Sequence, residues 1–125
     1  MNDVMHAEKR RESRLGEKVR IFYVTSPGAR GESRSELLQA ETVDVSEGGL
    51  RFHDSSGSIG FSMLEINLLP PDASQPITEF ARVRWLGPAS QGAGNEVGVQ
   101  FVPLQASDHA AWAGYILQKK RKIAA

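Results

Sequence analysis

A small all-β domain carrying a single C-terminal α-helix is the fold class this sequence predicts, on three observations. Apolar and polar residues alternate with period two in several short stretches; connections rich in glycine and proline separate those stretches; and apolar residues take up helical spacing only near the end. Five or six short strands of this kind suit an antiparallel sheet closed, or nearly closed, into a barrel. Closure removes edges that strongly apolar strands cannot safely expose. A chain of 125 residues is the size of one domain.

The elements follow in order. Residues 1–18 are polar and read as a flexible N-terminal arm, 19–105 as the barrel and 106–123 as the C-terminal helix. In "VRIFYVT" (19–25), Val19, Ile21 and Tyr23 alternate against Arg20, Phe22 and Val24, a strand with one buried face. "SPGARGES" stops it, and Ser33 to Glu36 has the form of a capping box for one short turn. "AETVDVSEGGLRFHD" (40–54) reads as two strands around a turn. Val43 and Val45 face one way and Thr42, Asp44 and Ser46 the other, before Leu50 and Phe52 resume a core face. Leu64, Ile66 and Leu68 alternate against Met63, Glu65 and Asn67 until two prolines, which cannot donate to a sheet, end the strand. Ala81, Val83 and Trp85 alternate with Arg82, Arg84 and Leu86, and Val97, Val99 and Phe101 make a last strand. In the helix, Ser107 suits the N-cap and Asp108 the positive end of the dipole. Trp112, Tyr115, Ile116 and Ile123 form an apolar stripe.

Composition removes several classes of function. Fifteen basic side chains balance 15 acidic ones, so no global field holds a nucleic acid polymer or a membrane surface, and any anion site is local. The absence of cysteine excludes disulfides, thiol chemistry and thiolate metal sites. No apolar run approaches the roughly 18 residues of a membrane span, and "MNDVMHAEKR" lacks the apolar centre of a signal peptide. The expectation is a cytoplasmic protein without membrane insertion. His6, His53 and His109 are scattered outside any metal spacing, and His53 with Asp54 reads as a surface pair near a strand end. Ser46 lacks a nucleophile-elbow context and the glycine pairs match no phosphate loop. The chain is therefore read as not an enzyme, with no cofactor and no metal. The basic tail "QKKRK" (118–122) is already favoured by the helix dipole. With Trp85 facing away from Arg82 and Arg84, the strand offers no aromatic and basic platform for a nucleic acid strand.

Two segments remain. "EKRRESRLG" (8–16) gathers Arg10, Arg11 and Arg14 just before the first strand. A solvated arm accounts for it, and so does an arm that closes over an anion. Arginine forks bind phosphate or the O6 and N7 edge of guanine through paired bonds, and their flat faces stack on bases. "DVSEGG" (44–49) places Asp44 and Ser46 two apart, on one face while the strand persists. Asp44 can accept from guanine N1–H and N2, Ser46 can donate, and Gly48 and Gly49 allow a tight turn or close approach. An Asx-type turn between two strands is described equally well by the same residues.

Together and in this order, the two segments resemble the PilZ domain family of bacterial cyclic di-GMP receptors, whose pattern is RxxxR followed by D/N-x-S-x-x-G. Arg10 to Arg14 supply the first part and Asp44 to Gly49 the second, and "VGVQF" (97–101) is similar to the family's closing strand. The resemblance implies a six-stranded antiparallel β-barrel with a C-terminal helix. It implies that Arg10 and Arg14 bind guanine faces and phosphates, that Asp44 and Ser46 meet a guanine edge, and that Gly48 and Gly49 border the ligand, with Gly49 permitting close approach. Arg11 is divided evenly between phosphate contact and solvation. Lys9, at the position preceding the motif, bears on whether one ligand or a stacked pair binds. The partners implied are cyclic di-GMP and a downstream protein effector, reached by rearrangement of the N-terminal arm. The alternative is a PilZ-like adaptor acting through protein contacts with weak or no nucleotide binding.

Overall fold

The computed structural model describes residues 14–25, 37–57, 59–90 and 92–124, and among these described residues the regular structure is six strands and one helix. Lys9, Arg10, Arg11 and the Ser33–Glu36 turn lie outside the described residues. The strands are β1 (Arg20–Thr25), β2 (Leu38–Ser46), β3 (Gly49–Asp54), β4 (Met63–Leu69), β5 (Ile77–Pro88) and β6 (Asn95–Val102), and α1 spans Ala106–Ala124. They close into a barrel in the order β1-β2-β3-β6-β5-β4, every pair antiparallel. The fold is the six-stranded barrel with a C-terminal helix that the resemblance implied.

Alternation explains most of the interior. Ile21 and Tyr23, Leu50 and Phe52, Leu64, Ile66 and Leu68, and Val97, Val99 and Phe101 all point inward and are buried. Their sequence neighbours of opposite parity face out, as a pleated strand with one buried face requires. The Tyr23 and Phe52 rings meet at 4.7 Å, and the Tyr23 hydroxyl donates to Asp54 Oδ1 at 2.7 Å. Asp54 is thus a buried acceptor, and not half of a surface pair with His53; His53 is exposed and donates through Nε2 to the Ala93 carbonyl.

Two β-bulges correct the simple alternation. The first lies between Thr42 and Asp44. It turns Val43 outward, 43% exposed, while Thr42, Asp44, Val45 and Ser46 are all buried, so Val43 and Val45 do not share a face. Thr42 goes inward because its hydroxyl ties down the chain that enters the barrel: it accepts from Val19 N and donates to the Glu17 carbonyl, both at 2.8 Å. The second bulge lies between Val83 and Trp85. One extra residue there shifts the parity of everything after it. Trp85 is 47% exposed on the outside of the barrel, and Leu86 packs against the core in its place.

Helix α1 packs against β5, and its Trp112 reaches the end of β2 at Ser46. It begins at Ala106, and His109 N bonds back to the Gln105 carbonyl at 3.0 Å, so Ser107 sits inside the first turn and is not the cap. Trp112, Tyr115 and Ile116 are buried. Trp112 meets Phe101 edge-on and stacks on Tyr115. Ile123, placed on the same stripe by spacing, is 68% exposed, because the last turn carries no packing against the barrel core.

Candidate functional site

The β2–β3 turn is where the two segments singled out in the sequence meet. Leu15 exchanges both backbone hydrogen bonds with Val45, at 2.7 and 2.9 Å, which pins the chain before β1 alongside the end of β2. Arg14 is thereby set beside Asp44, and its Nη1 donates to Asp44 Oδ1 at 3.0 Å. Across the hairpin, Asp44 and Arg51 are register partners. Arg51 Nε donates to Asp44 Oδ2 at 2.8 Å, its Nη2 bonds the same oxygen, and its Nη1 reaches Glu96 Oε1 at 3.3 Å. These hydrogen bonds to Asp44 push the Arg51 guanidinium above its ordinary value and keep it charged.

Arg14 and Arg51 line a cavity of about 620 Å³ together with Ser46, Gly48, Gly49, Arg84, Trp85, Gly98, Val99 and Gln100. That volume falls within the roughly 300–1,000 Å³ of small-molecule sites. Asp44 itself lies behind the two arginines, its side chain only 11% exposed. The Ser46 hydroxyl donates to the Gly49 carbonyl at 3.3 Å, within the turn. Gly49 is required by the sheet itself: a Cβ there would overlap the Val99 carbonyl oxygen of β6. Gly48 has open space on its side-chain face.

The far wall is aromatic. Trp85 pairs with Gly98 across β5 and β6, and its indole lies where a Gly87 side chain would project, with ring atoms 2.6 and 2.8 Å from that missing Cβ. Two glycines therefore let the indole lie down along the sheet beside the arginines. Arg84 Nε donates to Gln100 Oε1 at 2.8 Å, which fixes both at the same wall. The cavity thus joins three guanidinium groups to one aromatic face, a set able to bind phosphate by paired hydrogen bonds and a base by stacking. The expectation that Trp85 faces away from the arginines is overturned by the second bulge.

Of the residues singled out beforehand, Arg14, Ser46, Gly48 and Gly49 line this cavity, with Asp44 one shell deeper; Lys9, Arg10 and Arg11 lie outside the described residues. Arg51, Arg84, Trp85 and Gln100 were not assigned to it from sequence. Arg51 had a signal: counting back across the turn from the Ser46 and Gly49 pair puts Arg51 opposite Asp44. Trp85 had none, because the bulge that turns it outward leaves no mark in the alternation.

The cavity is tied to the helix from behind. Trp112 Nε1 donates to the Ser46 carbonyl at 2.9 Å, in a buried contact. A second cavity, of about 500 Å³, lies between α1 and residues 72–77; Asp72 and Asp108 line it, which sets it against anions. Among the described residues no group of acidic or histidine side chains is arranged to hold a metal ion.

Comparison with known proteins places the fold and the family. No curated protein sequence matches the chain. Among solved structures it is similar to the Bacillus subtilis inhibitor of motility MotI/DgrA, with a TM-score of 0.67 and 16% identity over 87% of this chain. It spans 49% of that protein, about half its length. It is similar also to the PilZ domain of CeSA from a cellulose-synthesizing bacterium, with a TM-score of 0.61, 11% identity, and coverage of 86% of this chain and 97% of that one. A tetrameric PilZ-domain protein from Xanthomonas campestris matches with a TM-score of 0.51 and 20% identity over 77% of this chain and 52% of its own. At these identities the likeness is one of fold. The sequence model of the PilZ domain matches residues 8–118, nearly the whole chain, and the chain belongs to the PilZ domain family.

Proposed function

We propose that this protein is a cyclic di-GMP receptor whose site is the cavity between the β2–β3 turn and the Trp85 wall. The observation that carries the reading is the 3.0 Å contact between Arg14 and Asp44. It joins two motifs that are 30 residues apart in sequence at the edge of a cavity containing three arginines and an exposed indole. A cyclic dinucleotide has two phosphates and two flat bases, and the cavity presents guanidinium forks for the first and the Trp85 face for the second. Arg14 turns from Asp44 to the ligand, and Asp44 accepts from the guanine edge. The Leu15 anchor sets Arg14 beside the cavity, and Arg10 stands four residues before Arg14 in the sequence. In this reading Arg10 joins Arg14 on the ligand as the family pattern implies, Arg11 is divided between phosphate contact and solvation, and Lys9 bears on whether one ligand or a stacked pair binds.

The family consists of receptors and adaptors, and the output of this receptor is read as contact with a partner protein in the cytoplasm. The Trp112 bond to the Ser46 carbonyl supports α1 as the element that senses the site from behind. The Xanthomonas campestris protein, described as self-assembled via a helical bundle, supports helices as contact surfaces on this fold.

Calorimetric titration with cyclic di-GMP at fixed salt tests the reading, with GTP as competitor and Arg14→Ala and Trp85→Ala alongside. Saturable binding at micromolar concentration or tighter is expected, lost in Arg14→Ala and weakened in Trp85→Ala by about 1–3 kcal/mol, the worth of one base stacked on an aromatic ring. Absence of heat for the wild-type protein at high ligand would leave the adaptor reading in its place.

A further inference from the structure

We propose that Arg51, braced by Glu96, is the positioning residue that makes Asp44 a reader of guanine. The inference rests on the receptor reading above and names a residue outside both sequence motifs.

Two carboxylates, Asp44 and Glu96, stand next to a cavity meant for a dianion, and left bare they would repel it. Arg51 touches both. It sits on β3 between Asp44 on β2 and Glu96 on β6, so one guanidinium ties three adjacent strands together. Its grip on Asp44 is of a different kind from that of Arg14. Arg14 makes a single contact, to Oδ1, from a side chain that is 47% exposed. Arg51 places two nitrogens on Oδ2 and a third on Glu96, which fixes the guanidinium plane and with it the orientation of the Asp44 carboxylate.

That division of labour suits exchange. When Arg14 moves to the ligand, Oδ1 is released to the base while Arg51 remains on Oδ2. Each carboxylate oxygen has two acceptor positions; Arg51 Nε and Nη2 fill those of Oδ2, so the two positions of the released Oδ1 are the ones that meet the base. Guanine offers two donors along one edge, N1–H and the N2 amino group. A carboxylate held in one plane can meet both, and a freely rotating one meets them only at the cost of its own ordering. Arg51 thus serves discrimination more than raw attraction. Hypoxanthine, which lacks the N2 amino group, is the base that reveals it.

The test compares cyclic di-GMP with cyclic di-IMP by calorimetry on the full chain, for wild type, Arg51→Gln, Arg51→Lys, Glu96→Gln and Arg14→Ala, with a thermal melt of each. Wild type is expected to prefer the guanine ligand by about tenfold or more. Arg51→Gln is expected to erase most of that preference while the melting midpoint stays close to wild type. Arg51→Lys restores overall affinity through its charge but leaves the preference low, because an ammonium does not fix the carboxylate plane. Glu96→Gln, which leaves Arg51 in place, lowers the preference part of the way. Arg14→Ala loses saturable binding of both ligands alike. A full guanine preference in both Arg51→Gln and Glu96→Gln overturns the inference and leaves the receptor reading standing. A wild-type protein that binds neither ligand overturns both.

Discussion

At Gly49 a methyl group has nowhere to go, because the Val99 carbonyl of β6 occupies its place. Gly49→Ala must push two paired strands apart, and the expected loss of stability is about 1–3 kcal/mol, the usual range for overpacking a tight interior. Gly48→Ala, whose Cβ meets nothing within 4 Å, is the control. Urea unfolding checks both, and equal midpoints for the two variants would show that β3 and β6 yield cheaply. The same turn shows how far a site can be read from residues alone. Asp44 and Ser46 were legible as a pair because two residues of strand return to the same face. Arg51 was legible in principle, since a short turn dictates its register partner. Trp85 was not: whether an apolar residue in an alternating strand points in or out depends on a bulge, and a bulge is settled by packing and not by local pattern.

Among the elements, the strands were the most legible because each one obeys a single period over its length. The exceptions are β2 and β5, each of which carries a bulge. In β2 the cause is Thr42, drawn inward to bond the entering chain at Glu17 and Val19, a long-range demand that no window of sequence contains. Helix α1 was placed by its apolar spacing, but Ser107 lies inside its first turn and is not its cap, and its last turn extends past the core. Its attachment to β5 includes an ionisable contact. Glu79 is buried on β5, and His109 Nδ1 donates to its Oε2 at 2.7 Å from the first turns of α1. Burial pushes the Glu79 carboxyl above its ordinary range and the negative charge of Asp108 adds to this, while the His109 contact pulls it partly back. The folded state therefore holds the Glu79 proton more tightly than the unfolded chain does. Its contribution to stability is fully present below the ordinary carboxyl range and is lost as pH rises through the raised folded value. Urea unfolding across the acid-to-neutral range should show wild type losing stability relative to Glu79→Gln as pH rises. A flat or opposite difference would contradict this assignment.

Over the whole molecule, charge is balanced in total and uneven in place. Fifteen cations match 15 anions, yet three arginines converge on the Trp85 cavity, while Asp72 and Asp108 line the groove beside α1. A neutral chain can therefore own a site for a dianion, with attraction confined to one wall of the barrel. The barrel brings that wall together from two pairs of strands, β2 with β3 and β5 with β6, and the Leu15–Val45 bridge adds Arg14 to it. Chemical-shift mapping with cyclic di-GMP tests this most directly, because the chain has only two tryptophans and they sit on opposite sides of the account. Trp85 faces the cavity, and Trp112 is buried behind Ser46. The expected result is a saturable shift of the Trp85 indole N–H with the amides of Ser46, Gly48, Gly49, Gly98 and Gln100. Shifts confined to the groove of Asp72, Asp108 and Gln118, or no shifts at saturating ligand, would contradict it.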